Sequence, residues 1–135
     1  YGIVNWFLRK AMCNEQISIN GEGLQTRDYN YVQDVVDALL LAAQKHEARG
    51  EMFFLGSNQE TRFIDMCNTI LSVTGSSMTI EKKEWDAARK AIEIGDFVVN
   101  PAKIHSILGW WPQTSLREGL EKTHAFYKGR EKEYF

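Results

Sequence analysis

Charge of one sign is what this chain has least of. Sixteen basic residues face eighteen acidic ones, and the formal net charge is only −2. The basic side chains are scattered, so no field is present that would gather nucleic acid or anionic lipid, and no nucleic-acid partner is expected. No apolar run approaches the roughly 18 residues of a membrane span, and no basic-then-apolar leader opens the chain, so no membrane partner is expected. Cysteine is almost as scarce. Cys13 and Cys67 each lie inside an apolar helical pattern, which reads as reduced, buried thiols of a cytoplasmic protein rather than a disulfide. His46, His105 and His124 are far apart and lack paired ligand spacing, which argues against zinc or another metal. No Ser/His/Asp or Cys/His arrangement suggests a nucleophile, and no catalytic residue is assigned. With two prolines, no internal repeat and no low-complexity tract, nothing marks a linker.

What the chain does have is apolar substance. Of its 135 residues 44% are hydrophobic and 12% aromatic, enough for one ordinary core and too many for disorder. Residues 1–135 therefore read as a single region. The chain starts at Tyr1 in mid-pattern without an initiator Met, as if it were part of something longer.

The apolar residues are arranged as alternating helices and strands. Ile3, Val4, Phe7, Leu8, Ala11 and Met12 recur at helical spacing. Ile17–Ile19 alternates as a short strand. A helix is expected from about Gln33 to His46, ended by Gly50. Met52–Leu55 reads as a strand covered on both faces, and Thr61 as the cap of a helix that carries Met66, Cys67 and Ile70 and stops at Gly75. Met78–Ile80 and Phe97–Val99 read as short strands. Between them Glu81–Ile94 has no clean period and reads as a loop with one helical turn. Asn100 as N-cap and Pro101 at the first helical position open a helix that Gly109 stops, and Ser115-Leu-Arg-Glu118 is a capping box for the last one. This order argues α/β, with strands few and short for a complete doubly wound sheet.

The run from Gly21 to Leu39, Gly-Glu-Gly-Leu-Gln-Thr-Arg-Asp-Tyr-Asn-Tyr-Val-Gln-Asp-Val-Val-Asp-Ala-Leu, is the most informative stretch. Its glycines let backbone come close to a ligand, and Arg27 offers a planar fork of donors suited to phosphate. The helix that follows is apolar enough to pack onto something large.

This run resembles the NAD-dependent epimerase/dehydratase branch of the extended short-chain dehydrogenase/reductase superfamily, of the UDP-glucose 4-epimerase kind. That branch carries Gly-Asp-Gly-x-Gln-x-Arg-Asp-Phe/Tyr-x-Tyr-Val-x-Asp-Val-Val-x-Ala, and Glu22 replaces its Asp. Three further blocks stand with it in family order. Gly2–Leu8 with Ile17–Gly23 resembles its helix, strand and turn. Gly50-Glu-Met-Phe-Phe-Leu-Gly-Ser is similar to another strand. Gly95-Asp96 with Asn100–Pro112 resembles its Leu-Gly-Trp-x-Pro tail. The resemblance implies a partial, incomplete Rossmann-type fold, a mostly helical substrate-binding C-terminal region with short strands. The family's Gly-rich pyrophosphate loop and its Tyr-x-x-x-Lys pair are not in these residues. NAD is thus expected in the longer enzyme and not on this chain alone, which is expected to be inactive by itself.

Site residues carry over by resemblance. Arg27 matches the arginine on the nucleotide-sugar diphosphate; the alternative is an ion pair with Asp28 or a neighbouring acid. Ser18 and Asn20 match positions whose backbone meets the base, although Asn20 cannot stack as an aromatic ring would. Asp96 matches an acid that bonds the ribose, against plain turn chemistry beside Gly95. Tyr29 is either a packing residue or a phosphate ligand. Many members have arginine where Glu93 stands, so Arg89 or Lys90 must supply a second cation or the site has one only. Trp6, Trp110 and Trp111 read as core or interface residues. The resemblance thus implies a nucleotide-sugar partner, and a homodimer is expected from apolar faces that lack partners. The alternative is a non-catalytic, nucleotide-sugar-binding or self-associating scaffold domain.

Overall fold

In the computed structural model, which describes residues 2–135, ten residues of the first apolar stripe form α1 (Ile3–Met12). Phe7, Leu8 and Ala11 lie on its buried face. The chain then extends into β1 (Ile17–Asn20), whose Ile17 and Ile19 point into the core while Ser18 and Asn20 point the other way, as the two-residue period of a strand requires. A turn at Gly21–Gly23 leads to β2 (Thr26–Arg27), and α2 (Val32–Gln44) follows. His46–Ala48 forms a 3₁₀ turn. After a long irregular segment come β3 (Thr61–Arg62), α3 (Phe63–Thr74), β4 (Ile80–Lys83) and α4 (Ala87–Ala91). The chain ends with α5 (Ala102–Leu108), α6 (Leu116–Tyr127) and α7 (Glu131–Tyr134).

The fold is α/β, mostly helical, with two small sheets. β1 pairs parallel with β4, Ile17 opposite Ile80 through Asn20 opposite Lys83. β2 pairs antiparallel with β3, Thr26 opposite Arg62. The exposed side chains of Glu81, Lys82 and Lys83 suit β4 to an edge, where charge discourages pairing with another chain.

Among the described residues there are two cores. In the larger, Phe7, Leu8 and Ala11 of α1 meet Ile17 and Ile19, with Met66, Cys67 and Ile70 of α3 and Leu120 of α6 packed against them. In the smaller, Ala38 of α2 meets Ile104, Leu108 and Trp110. The Trp110 indole N–H donates to the Asp34 carbonyl at 3.0 Å, and the Asp34 carboxylate, only 4% exposed, accepts from Thr114 N at 3.0 Å. These bonds tie the start of α2 to the segment before α6.

Several expectations change. Met52–Leu55 forms no strand. Its four apolar residues find no neighbouring strand, so Phe53 and Leu55 pack on the smaller core while Met52 and Phe54 are 72% and 65% exposed. Thr61 lies in β3 and does not cap α3, whose N-cap is Arg62. α2 stops at Gln44 because Lys45 is extended. The strand expected at Met78–Ile80 runs instead from Ile80 to Lys83. Phe97 makes a single bridge to Arg27. Pro101 is the N-cap of α5, while Asn100 Oδ1 accepts from Ala102 N at 2.9 Å. Cys13 is exposed, because it sits just past the end of α1; Cys67 is buried. Gly75 and Gly109 end their helices left-handed, and Ser115 Oγ caps Glu118 N at 3.2 Å.

Candidate functional site

β1 ends at Asn20, and the chain turns through Gly21 and Gly23, both left-handed with φ of 66° and 68°. The turn needs glycine for space as well. A Cβ on Gly21 would collide with the Trp85 indole, and one on Gly23 would lie 2.8 Å from Ile19 Cδ1. The turn closes onto α3: Ile64 N donates to the Gly23 carbonyl and Phe63 N to the Gln25 carbonyl, each at 2.9 Å. These first amides of α3 are thereby satisfied by the turn.

β2 is then clamped on two sides, by β3 and by Phe97 N, which donates to the Thr26 carbonyl at 3.0 Å. The neighbours Arg27 and Asp28 do different work. Asp28 accepts from Ser57 N at 2.9 Å, from the Ser57 hydroxyl and from Val99 N at 3.3 Å. Its carboxylate gathers two distant loops, and Gly56 leaves room for the close approach, since a Cβ there would meet Val99 and Asp28.

The Arg27 side chain enters a cavity of about 550 Å³ lined by Asn20, Gln25, Arg27, Asp28, Tyr29, Phe63, Trp85, Arg89, Ile92 and Glu93, with Ile3 at its edge. Its guanidinium donates to the Thr26 carbonyl at 2.8 Å and to the Gly95 carbonyl, and it is ion-paired with Glu93. Arg27 is thus paired, and its partner is Glu93 rather than the adjacent Asp28. Arg89 also lines the cavity, and its guanidinium makes no hydrogen bond or ion pair among the described residues. Lys90 does not line it.

Three of the five expected site residues, Asn20, Arg27 and Tyr29, line this one cavity. The other two do not. The Ser18 hydroxyl donates to Glu81 at 2.6 Å across the β1–β4 pair, and this bond holds the Glu81 carboxyl below its usual range. Asp96 is exposed and accepts from Thr26 N at 2.7 Å, which lowers its carboxyl as well. Its observed bond holds the β2 backbone from 70 positions away, a contact that is not local to the turn at Gly95. Tyr29 has a buried hydroxyl with no hydrogen-bond partner among the described residues. Burial, then the charge of Cys67, pushes its pKa up to about 12, while Arg27 pulls weakly the other way.

Tyr29 lines a second cavity, of about 520 Å³, between α1, α6 and the segment leading into α2. Its walls include Val4, Leu116, Leu120, Phe126 and Tyr127, and the Lys122 amine that reaches it is bound to Glu118 at 2.9 Å. Among the described residues a phosphate would find no free cation there, so the Arg27 cavity is the candidate site.

The family model described as GDP-mannose 4,6 dehydratase matches residues 3–123. The chain belongs to this family. With it the chain belongs to the NAD-dependent epimerase/dehydratases of the extended short-chain dehydrogenase/reductase superfamily. A UDP-glucose 4-epimerase of Mycolicibacterium smegmatis is 30% identical over 132 residues, 96% of this chain and 40% of that protein. The structure of a UDP-glucose 4-epimerase with UDP-glucose from Thermotoga maritima is 29% identical, with a TM-score of 0.85 over 96% of this chain and 40% of the other. An epimerase of Methanothermobacter thermautotrophicus is 28% identical, with a TM-score of 0.89 over 98% and 38%. The fold alone is shared with a dTDP-glucose 4,6-dehydratase of Bacillus anthracis solved in complex with NAD, 22% identical at a TM-score of 0.80 over 96% and 40%. The chain spans about 40% of the length of the epimerase relative.

The Gly21–Gly23 turn of this epimerase/dehydratase chain is not built as a dinucleotide pyrophosphate loop. A dinucleotide fold presents the pyrophosphate to a helix N-terminus directly after a Gly-rich turn. Here the Gly21–Gly23 turn leads into β2, and its carbonyls occupy the first amides of α3. Among the described residues there is likewise no group of three or more His, Cys, Asp and Glu that could hold a metal.

Trp85 is a wall residue that the sequence reading passed over. A lone aromatic in a charged stretch was its only signal, and the packing against Gly21 could not be read from spacing.

Proposed function

We propose that this chain is the substrate-binding region of an NAD-dependent nucleotide-sugar epimerase or dehydratase, and that the Arg27 cavity takes the nucleoside diphosphate. The observation that carries the reading is the convergence of Arg27, Asn20 and Tyr29 on one cavity of about 550 Å³, a size usual for small-molecule sites. Arg27 meets the diphosphate, Tyr29 has a hydroxyl to offer it, and Arg89 is the second cation. Trp85 gives the base an aromatic face where Asn20 has none, and stacking of this kind contributes about 1–3 kcal/mol. Ser18 and Asp96 act through the backbone they hold, keeping β1 and β2 in place around the ligand.

NAD is held by residues outside this chain, so the chain alone positions the sugar and does not turn it over. The fuller protein works in the cytoplasm. It is a homodimer, in keeping with α2, where Val32 and Leu39 are 66% and 63% exposed and leave an apolar face for another surface. A binding or scaffold domain without chemistry would use the same cavity.

Calorimetric titration of the chain with UDP-glucose tests the reading. Binding is expected, with at least tenfold loss in Arg27→Ala, a charge-assisted bond being worth about 1.5–3 kcal/mol. Equal affinity in the two proteins would remove Arg27 from the site and the reading with it.

A further inference from the structure

The pairing of Arg27 is unusual for an anion-binding arginine. Its side chain is 23% exposed and that of Glu93 25%, so the pair is half-withdrawn from water inside the cavity. Glu93 is also fixed from behind, since its Oε1 accepts from Gly95 N at 3.2 Å. The carboxylate is therefore held against the guanidinium by a second donor and is not simply drifting near it. Of the five N–H donors of Arg27, those that remain are few, because the Thr26 and Gly95 carbonyls use Nη1 and Glu93 uses Nη2. A planar carboxylate here occupies the position that one edge of a phosphate would take. Glu93 also follows directly on the short α4 and its end at Ile92, and Arg89 lines the same cavity with no ion pair among the described residues.

Resting on the nucleotide-diphosphate reading of this cavity, we propose that Glu93 is a built-in competitor for Arg27 and determines which ligands the cavity accepts. A diphosphate enters by displacing the carboxylate from the guanidinium, and Arg89 then faces the added negative charge. The displaced carboxylate remains nearby and repels the ligand. Binding of anionic ligands is thereby weakened in proportion to their charge, whereas an uncharged nucleoside, which needs neither arginine, is unaffected.

The test compares UDP and uridine binding to the wild-type chain and to Glu93→Gln, which keeps the shape and an acceptor for Gly95 N but removes the charge. Glu93→Ala serves as a second variant, and circular dichroism melting monitors folding in both. UDP affinity is expected to rise at least tenfold in Glu93→Gln while uridine affinity stays within twofold, and Arg27→Ala in the Glu93→Gln background should abolish the gain. If UDP binds the wild type and requires Arg27, yet neither variant binds it more tightly, the competitor role is wrong and the site assignment survives. If UDP and uridine gain equally, Glu93 acts through cavity shape and the charge argument is wrong. If none of the proteins binds UDP, the assignment of the cavity fails together with the inference.

Discussion

The two cavities that share Tyr29 are almost equal in size, about 550 and 520 Å³, and differ in the charged side chains that line them. One contains Arg27, Arg89, Asp28 and Glu93; the other is walled by Val4, Leu116, Leu120 and Phe126. Volume alone would not separate them. What separates them is what each can offer an anion: the first is lined by Arg27 and Arg89, whereas Lys122, which lines the second, is bound to Glu118. Leu120 of the second cavity is a buried member of the larger core, so its loss should tell on folding stability, whereas under the proposed diphosphate site the loss of Arg27 should tell on ligand binding.

Substitutions on the two sides should therefore fail in different ways. The largest effect belongs to the apolar side. Leu120→Ala should destabilise the fold by about 2–5 kcal/mol in urea denaturation and leave UDP affinity of the folded protein within about twofold. A large loss of affinity at unchanged stability would exchange the roles of the cavities. Next is Arg27→Ala, with about 1.5–3 kcal/mol lost from UDP binding. Its ion pair is partly solvated, so the melting temperature should move little.

Alkaline pH probes the boundary between the two sides. Burial raises Cys67 from 9.0 to about 12, and Tyr29 rises from 10.0 to about 12. Both groups are protonated in the folded protein over a range where they are ionised in the unfolded chain. The folded state then binds more protons, so stability is full below about pH 9 and declines up to about pH 12. Melting temperatures across this range should fall less steeply in a Cys67→Ala, Tyr29→Phe double variant than in the wild type. A parallel decline would place the sensitive groups elsewhere. The smallest effect is that of Tyr29→Phe at neutral pH. Removing a buried hydroxyl without a partner should change stability by no more than about 1 kcal/mol, and in the stabilising direction; a loss beyond that would mean the hydroxyl is bonded in solution.

Much of the fold was legible because it is local. The stripe from Ile3 to Met12, the Ser115 cap and the left-handed stops at Gly75 and Gly109 are each decided within a few residues. Arg27 was legible as a candidate because a glycine turn, a single arginine and a helix start occur together, and the structure places its side chain in a cavity. The remainder depends on contacts that spacing does not encode. Met52–Leu55 looks like a buried strand until no neighbour is found for it. β4 runs on through charged residues because an edge strand needs backbone partners rather than apolar side chains. The Arg27–Glu93 pair spans 66 positions. From the sequence Glu93 could be read only as an acid where the family has a base, and not as the partner that holds the arginine.

Under the proposed function a nucleoside diphosphate enters the cavity between Arg27 and Trp85. The most direct measurement is a ¹⁵N NMR titration of the chain with UDP, following the Arg27 Nε–H and Trp85 indole N–H signals, the latter assigned by Trp85→Phe. Saturable shifts of both, with the amides of Leu120 and Phe126 unmoved, are predicted. Shifts confined to Leu120 and Phe126, or none at either cavity, would contradict it.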